Sequence, residues 1–305
     1  MDTQKHNTRA AAEKREQNVV FRTFRDGDYD ALCAFFTALN ETDRTHINWN
    51  WARFEWMYEH PEFDKENIGS IGLWLDGGRI VGAAVYDMYF GEAFAGALPG
   101  YGGLYPAILD YAYGELRDEN GLGLAIRDGD ETELAAVTAA GFEEAEQTEN
   151  VMARSLDDIP AAALPEGLGF ACLDPEADEE ALAWLFWQGF DHGGDRAAFE
   201  REPRPRRAAR KHMNKDLGVA AVTPGGEPVA CCCVWFLPGT DYAYVEPVCT
   251  VPQWRKKGVA KAVVFEALGR AKALGAKTAY VISDQEFYRR LGFADYEKYT
   301  FYWKK

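Results

Sequence analysis

A basic loop late in the chain has the composition of an anion-binding site. Residues 248–260 read V-C-T-V-P-Q-W-R-K-K-G-V-A. Pro252 ends a predicted apolar strand, and an amphipathic helix is predicted to begin directly after Gly258. The first amides of a helix have no partner inside the helix and lie at the positive end of its dipole. Because three basic residues precede Gly258, we expect this turn to hold a polyanion such as a pyrophosphate.

Charge and composition narrow the class of protein. The chain has 305 residues, 47% of them hydrophobic and 14% aromatic, which is enough for two globular domains. Its 49 acidic and 33 basic residues give a formal net charge of −16. A field of this sign argues against binding to nucleic acid or to anionic membrane surfaces. No apolar run approaches the ~20 residues that span a bilayer, and residues 1–17 form a polar tail without the apolar centre of a secretion signal.

The cysteines favour a reducing compartment over a disulfide framework or a metal site. Three of the six are consecutive, at Cys231, Cys232 and Cys233, inside the apolar run PVACCCVWF. Adjacent residues of a strand point to opposite faces, so this run does not have the pattern of paired disulfides. No Cys-x-x-Cys or paired-histidine spacing indicates a ligand set, and we expect no metal. Buried, reduced thiols in a cytoplasmic protein are therefore the expectation.

The same order of features occurs twice along the chain. A Gly-Gly turn between two apolar stretches occurs at 77–78 and at 225–226, and a Gly-Phe pair occurs at 141–142 and at 292–293. Each feature lies about 150 residues from its counterpart, which is typical of a duplicated domain. The segment 156–167, with two prolines and little periodicity, is the best linker candidate.

We therefore predict a polar tail at 1–17, a domain at 18–155, the linker at 156–167 and a second domain at 168–305. Each half has the pattern of a mixed α/β fold, in the order strand, two helices, hairpin, third strand, helix, strand, helix and closing strand. The halves differ in the loop after the third strand, because residues 98–109, LPGYGGLYPAIL, contain no basic residue. The first domain is predicted to be a degenerate copy.

Three separated motifs in the second half resemble the GNAT superfamily of N-acetyltransferases. They are Thr250-Val251-Pro252, Arg255-Lys256-Lys257-Gly258-Val259-Ala260 and Tyr288-Arg289-Arg290-Leu291-Gly292-Phe293. The resemblance spans residues 168–305, whereas the first half is similar only in layout and in its Gly-Phe pair. It implies two tandem GNAT-like α/β domains, each a twisted, mostly antiparallel sheet flanked by helices. It also implies acetyl-CoA as the acyl donor and an amine as the acceptor.

The resemblance assigns the residues that would bind acetyl-CoA. The pyrophosphate would be held by backbone amides of the loop and the first helical turn, with Arg255 fixing the loop. These amides belong to Lys256, Lys257, Gly258, Val259 and Ala260. In the family, the strand before this loop separates from its neighbour, and the pantetheine arm pairs with the strand's backbone in the gap. Here that backbone belongs to Val248, Cys249, Thr250 and Val251.

Two residues are candidates for proton transfer. Glu246 lies in a mostly apolar strand next to Pro247, and a proline there indicates a bulge or a sheet edge. A carboxylate at this place is a candidate general base for the amine, and a solvent-facing or ion-paired glutamate is the alternative. Tyr288 matches the family tyrosine that lies over the thioester sulfur and protonates the leaving thiolate. A tyrosine that only packs in the core is the alternative.

The acceptor pocket is expected where the family builds it, from the first two helices and their loop. The residues of that region are Trp187, Phe190, Asp191 and His192. Asp191 and Glu246 would attract an ammonium, so we expect a small-molecule or peptide amine as the acceptor. Aromatic residues at helical spacing are also typical of an ordinary core.

The predicted function is acetyl-CoA-dependent N-acetylation by direct attack in a ternary complex. No cysteine or serine has the setting of an activated nucleophile, which disfavours an acyl-enzyme. One alternative is a non-catalytic module that binds acyl-CoA or docks a partner on a GNAT scaffold. Another is an enzyme that uses a larger acyl-CoA. The sequence leaves the oligomeric state open.

Overall fold

The chain divides into two compact units. The computed structural model describes residues 16–41, 44–60, 62–173, 179–201, 211–212 and 214–305. The first unit consists of Met1–Asn150 with Glu297–Lys305, and the second consists of Val151–Tyr296. Of the predicted polar tail, only residues 16 and 17 belong to the described part of the chain.

The first unit is a mixed α/β domain. Its strands are β1 (Val20–Thr23), β2 (Gly72–Asp76), β3 (Arg79–Asp87), β4 (Tyr89–Ala97), β5 (Leu122–Arg127) and the first part of β6 (Glu143–Ser155). Its helices are α1 (Tyr29–Leu39), α2 (Trp51–Tyr58), α3 (Tyr105–Glu115) and α4 (Glu131–Ala139). The hydrogen-bonded order β1-β2-β3-β4-β5 is antiparallel except between β4 and β5, which are parallel.

The second unit repeats this order of elements. Its strands are β7 (Gly169–Cys172), β8 (Gly218–Val222), β9 (Pro228–Phe236), β10 (Tyr242–Thr250), β11 (Thr278–Ile282) and the first part of β12 (Ala294–Lys304). Its helices are α5 (Glu179–Gly189), α6 (Arg196–Arg201), α7 (Val259–Ala273) and α8 (Glu286–Arg290). Only β10 and β11 are parallel in the order β7-β8-β9-β10-β11. The predicted fold class, a tandem mixed α/β protein with mostly antiparallel pairing, is confirmed.

The closing strand of each half of the sequence is divided between the two units. Residues 151–155 of β6 belong to the second unit and pair with β11. Residues 299–304 of β12 belong to the first unit and pair with β5. The observed division therefore differs from the predicted domains, which ended at 155 and 305. Backbone donors and acceptors are the same in every strand, so an alternating pattern predicts a strand without naming its partner.

The predicted linker, 156–167, forms neither helix nor strand and belongs to the second unit. Its first residue, Leu156, is fully buried. The Leu156 amide donates to the carbonyl oxygen of Lys277 at 2.8 Å, and Lys272 Nζ donates to the carbonyl oxygen of Asp157 at 2.6 Å. The start of the segment is therefore held against the second unit by its backbone.

The helix after the basic loop packs as the sequence predicts. Apolar residues at helical spacing form its buried face, namely Val259, Val263, Val264, Ala267, Leu268 and Ala271. Gly275, with a φ of 114°, follows the end of the helix in a conformation that favours glycine. This helix has 15 residues, and no helix of the described residues combines the length and apolarity needed to cross a bilayer.

All six cysteines are free thiols. Five are buried, and these are Cys33, Cys231, Cys232, Cys233 and Cys249. Cys172 is exposed, which differs from the expectation of buried thiols. It ends β7, the last strand in the order of its unit, where side chains have fewer neighbours.

Candidate active site

Strand β10 separates from its parallel neighbour part-way along its length. Tyr242–Tyr244 pair with Thr278–Tyr280 of β11, and the register between the two strands ends there. From Val245 to Thr250, β10 follows β9 on its other side. The resemblance to GNAT proteins predicts such a separation, with the pantetheine arm paired to the backbone of the separated strand. The predicted pantetheine-binding residues, 248–251, lie beyond the separation.

A bulge in β10 sets the direction of Glu246. The register with β9 shifts between Val245 and Val248, so Glu246 and Pro247 together lie opposite a single residue of β9. The peptide bond between Glu246 and Pro247 is cis. Bulges change the direction of a side chain and often occur beside active sites. The bulge predicted from Pro247 is therefore confirmed.

Glu246 is held by two hydrogen-bond donors. The Tyr244 hydroxyl donates to Oε2 of the carboxylate at 2.5 Å. The Trp235 indole Nε1 donates to the backbone carbonyl oxygen of Glu246 at 2.6 Å. The glutamate is half-buried. Its carboxylate therefore has a fixed direction, which a freely solvated glutamate does not have.

Tyr288 projects from α8 into the core of the second unit and is 8% exposed. Its ring centroid lies 5.0 Å from that of Phe287 and 5.6 Å from that of Phe293. Burial raises the pKa of Tyr288, and the neighbouring Cys232 and Glu246 raise it further. The hydroxyl therefore stays protonated at neutral pH, as a proton donor must. Glu246, the other predicted catalytic residue, is thus within electrostatic reach of Tyr288.

The loop after β10 leaves the start of α7 open. A short 3-10 turn at Pro252–Trp254 leads to Lys256, whose φ is 59°, and to Gly258, whose φ is 82°. Among the described residues, no side chain caps the first turn of α7. Lys256, Lys257 and Gly258 are exposed. The first amides of α7 thus have no side-chain cap and lie beside exposed loop residues, at the positive end of a long helix.

Backbone conformation, not crowding, requires glycine at 258. A Cβ added to Gly258 meets no atom of the chain within 4 Å. A left-handed conformation, however, costs other residues about 1 kcal/mol or more. The space beside Gly258 is therefore open, and its amide can be approached closely.

Arg255 fastens the loop to the end of α5. Its Nε donates to the carbonyl oxygen of Thr250 at 3.0 Å, and its Nη2 donates to the carbonyl oxygen of Gly189 at 2.9 Å. Its Nη1 lies 2.8 Å from Oδ1 of Asp191. The guanidinium thus positions the loop. Asp191 pairs with Arg255, so its charge is largely balanced, which argues against the expected role of Asp191 in attracting an ammonium.

The other predicted acceptor residues surround the end of α5. The ring centroid of Trp187 lies 5.0 Å from that of His192 and 5.8 Å from that of Phe199. Phe190 is exposed. Trp187 is therefore mainly a packing residue, whereas Phe190 presents an open aromatic surface.

Helix α5 comes very close to β10 at Gly189. A Cβ added to Gly189 would lie 2.7 Å from Sγ of Cys249. Glycine is therefore what allows this helix end to reach the strand. The predicted acceptor residues border the strand predicted to bind pantetheine.

Two residues that hold the site were not predicted from the sequence. Tyr244 lies two positions before Glu246, and such residues share a face of a strand, so the strand pattern contains a signal for this pair. Trp235 lies 11 positions before Glu246 and belongs to another strand. No local signal connects these two residues.

Comparison with known proteins assigns the second half of the chain to a family. The acetyltransferase (GNAT) family model matches residues 179–293. Residues 179–293 are a GNAT domain. The matched range contains Glu246, the basic loop and Tyr288.

Solved structures with the same fold cover nearly the whole chain. A GCN5-related N-acetyltransferase from Sphaerobacter thermophilus is 19% identical, with a TM-score of 0.58 over 94% of this chain and 95% of that chain. A tandem GNAT protein from the clavulanic acid biosynthesis pathway is 15% identical, with a TM-score of 0.62 over 93% of this chain and 97% of that chain. At these identities the likeness shows the fold alone. No curated protein matches the chain in sequence.

The first GNAT-like unit differs at both functional positions. In the loop before α3, the amide of Gly103 donates to Oε1 of Glu16 at 2.9 Å. A carboxylate thus lies where the GNAT domain has its basic loop. Tyr288 lies four residues before the glycine of its Gly-Phe pair. The residue at the same spacing in the first unit is Val137, which is buried. This unit therefore has neither the cationic loop nor the phenol.

Proposed function

We propose that the chain is an acetyl-CoA-dependent N-acetyltransferase with one catalytic centre, in the second unit. The observation that carries the proposal is the separation of β10 from β11 after Tyr244, directly before the bulge that holds the anchored carboxylate of Glu246. A module that only bound acyl-CoA would need the open strand and the anion loop. It would not need an anchored carboxylate beside a protonated phenol.

The donor site is formed by the loop and by β10. The amides at the start of α7, which no side chain caps, suit the pyrophosphate of acetyl-CoA, and the exposed Lys256 and Lys257 add positive charge there. Arg255 supports the loop through its bonds to Thr250 and Gly189. The edge of β10 beyond its register with β11 offers the backbone of residues 248–251 to the pantetheine arm.

The reaction would need proton transfer at two residues. The acceptor arrives as an ammonium, and Glu246 takes its proton, directly or through water. The nitrogen lone pair then forms a bond to the thioester carbonyl carbon, and the C–S bond breaks. Tyr288 donates its proton to the leaving sulfur, and the nitrogen gives up its second proton, through water, to the Tyr288 phenolate. The raised pKa of Tyr288 favours that return.

We assign a single donor site to the chain. Residues 98–109 of the first unit contain no Arg or Lys, and the Gly103 amide in that loop already bonds to the carboxylate of Glu16. A second polyanion would meet a like charge there.

The proposed acceptor is a small-molecule or peptide amine. Because Asp191 pairs with Arg255, Glu246 is the carboxylate that we assign to the ammonium, and Phe190 offers exposed aromatic surface after the end of α5. The net charge of −16 disfavours polyanionic acceptors. Free, mostly buried thiols suit a reducing compartment, so we place the reaction in the cytoplasm.

The test is an amine panel scored by thiol release. The full chain, with acetyl-CoA, is offered polyamines, aminoglycosides and amino-terminal peptides. We expect at least one cationic amine to accelerate release of CoA and to carry the acetyl group, detected by mass spectrometry. Its kcat/KM should fall as salt rises, because charge attraction is screened. Tight binding of acetyl-CoA without acceleration by any amine would instead favour the non-catalytic alternative.

A further inference from the structure

We propose that Tyr244 is a positioning residue that holds the Glu246 carboxylate in place for proton transfer, together with Trp235, which holds the backbone of the same glutamate. This inference rests on the proposed function, because it takes Glu246 as the base. The inference is drawn from two hydrogen bonds to one glutamate at the bulge. Tyr244 donates to its carboxylate, and Trp235 donates to its backbone carbonyl oxygen.

The hydroxyl of Tyr244 is directed by packing. Tyr244 lies opposite Trp235 of β9 on one side and opposite Tyr280 of β11 on the other. Residues directly opposite in a ladder share a face of the sheet. Tyr244 and Trp235 are each 1% exposed. A phenol that is almost wholly buried in the sheet has little freedom to turn, so its hydroxyl is presented to Glu246 before any substrate arrives.

The hydrogen bond acts on the charge and on the direction of the base. The Tyr244 hydroxyl donates directly to Oε2 of the carboxylate. A donor of this kind favours the ionised form, which is the form that accepts a proton. A carboxylate has about four lone-pair positions, so one hydroxyl bond still allows the substrate proton to be accepted.

The other groups near Glu246 have different roles. Tyr288 belongs to α8, and its pKa is raised by burial, by Cys232 of β9 and by Glu246. Burial keeps the Tyr288 phenol neutral, and we assign its proton to the leaving thiolate. From β9, Trp235 donates to the backbone and not to the carboxylate. Tyr244 donates to the carboxylate itself, and it is the group to which we assign the orientation of that carboxylate.

The experiment compares Tyr244→Phe with the unmodified full chain. Without the donor, the carboxylate takes up a proton at higher pH. We expect the acidic limb of the kcat/KM profile for the amine to move up by about one pH unit, and kcat to fall roughly tenfold. The dissociation constant of acetyl-CoA should not change, because Tyr244 precedes the strand segment assigned to the donor. Melting temperatures of both proteins verify that each is folded.

Two further variants separate positioning from general packing. Tyr242→Phe removes a buried hydroxyl from the same strand face, two residues further from the bulge, and should leave the pH profile unchanged. In a Glu246→Gln background, Tyr244→Phe should cause no additional loss, because its effect passes through the carboxylate. An additional loss as large as in the unmodified chain would overturn the inference, as would an unmoved acidic limb.

A measurement without turnover distinguishes this inference from the proposed function. In full chains labelled with ¹³C at the glutamate carboxyl, the Glu246 signal is identified by its loss in Glu246→Gln and is titrated with and without Tyr244→Phe. If the midpoint moves up while no amine is acetylated, the hydrogen-bond assignment stands and the enzyme proposal fails. A midpoint that does not move shows that the Tyr244 assignment is wrong.

Discussion

The guanidinium of Arg255 donates to the carbonyl oxygen of Gly189 at 2.9 Å, and this bond joins the anion loop to the end of α5. A second bond, to the carbonyl oxygen of Thr250 at 3.0 Å, fixes the same side chain to the end of β10. Arg255, the first residue of the basic loop, thus aligns that loop with the end of β10 and the end of α5. The donor loop and the proposed acceptor side therefore share one support.

The first prediction concerns this support. Arg255→Lys keeps the charge but cannot donate to two carbonyl oxygens and a carboxylate from one planar group. We expect the dissociation constant of acetyl-CoA to rise about tenfold and the KM for the amine to rise with it. Asp191→Asn keeps both carbonyl bonds and removes only an exposed ion pair, so its effect should stay within about threefold. Calorimetry and kinetics on both variants check this, and equal losses would contradict it.

The second prediction is one acetyl-CoA per chain. Titration calorimetry should give a stoichiometry near one, and Gly258→Val should abolish binding. Valine is strained at a φ of 82° and its branched side chain would cover the amides at the start of α7. The matched control is Gly102→Ala in the first unit, where an added Cβ meets no atom within 4 Å. This control should leave the affinity and the stoichiometry of acetyl-CoA unchanged. Two equivalent sites would refute the assignment to the second unit.

The third prediction separates chemistry from binding at Tyr288. Tyr288→Phe keeps the ring contacts to Phe287 and Phe293 but removes the proton donor. We expect kcat to fall roughly 100-fold with an unchanged dissociation constant for acetyl-CoA. Because burial raises the pKa of Tyr288 above its ordinary value of 10.0, the phenol is protonated throughout the usual assay range. The basic limb of the pH profile should therefore be the same in both proteins, and a shift of that limb would count against the assigned role.

The fourth prediction concerns alkaline stability. Burial raises the pKa of Tyr105, Tyr288 and Tyr299 above the ordinary value of 10.0. In the unfolded chain these phenols lose their protons near pH 10, whereas in the folded chain they stay neutral. Their contribution to stability is therefore complete below about pH 10 and is lost as the pH rises further. The melting temperature should be nearly constant from neutral pH to about pH 9 and should fall above about pH 10.

A single variant tests the cause of that loss. Among the described residues, the buried hydroxyl of Tyr105 has no hydrogen-bond partner. Tyr105→Phe should thus cost little stability at neutral pH and should reduce the loss above pH 10. An unchanged alkaline slope would show that other groups cause the loss.

Several parts of the candidate site follow from residues that act on their own backbone. Pro247 has no amide hydrogen, and it marks the bulge that the register of β10 and β9 shows. Gly258 precedes a helix whose apolar positions recur at helical spacing, and α7 begins at the next residue. These features are local, so the amino-acid types alone predict them.

Contacts between distant residues needed the tertiary structure. Asp191 reads as an acidic residue free to attract an ammonium, yet it forms an ion pair with Arg255, 64 positions away. Trp235 of β9 donates to Glu246 of the neighbouring strand β10. Residues 299–304 pair with β5, a strand from the first half of the sequence. Any strand edge and many donors satisfy the same backbone groups, so the choice among them depends on how the whole core packs. The order of elements and the basic loop were thus determined by sequence, whereas the alignment of Glu246, the loop and the end of α5 was decided by packing.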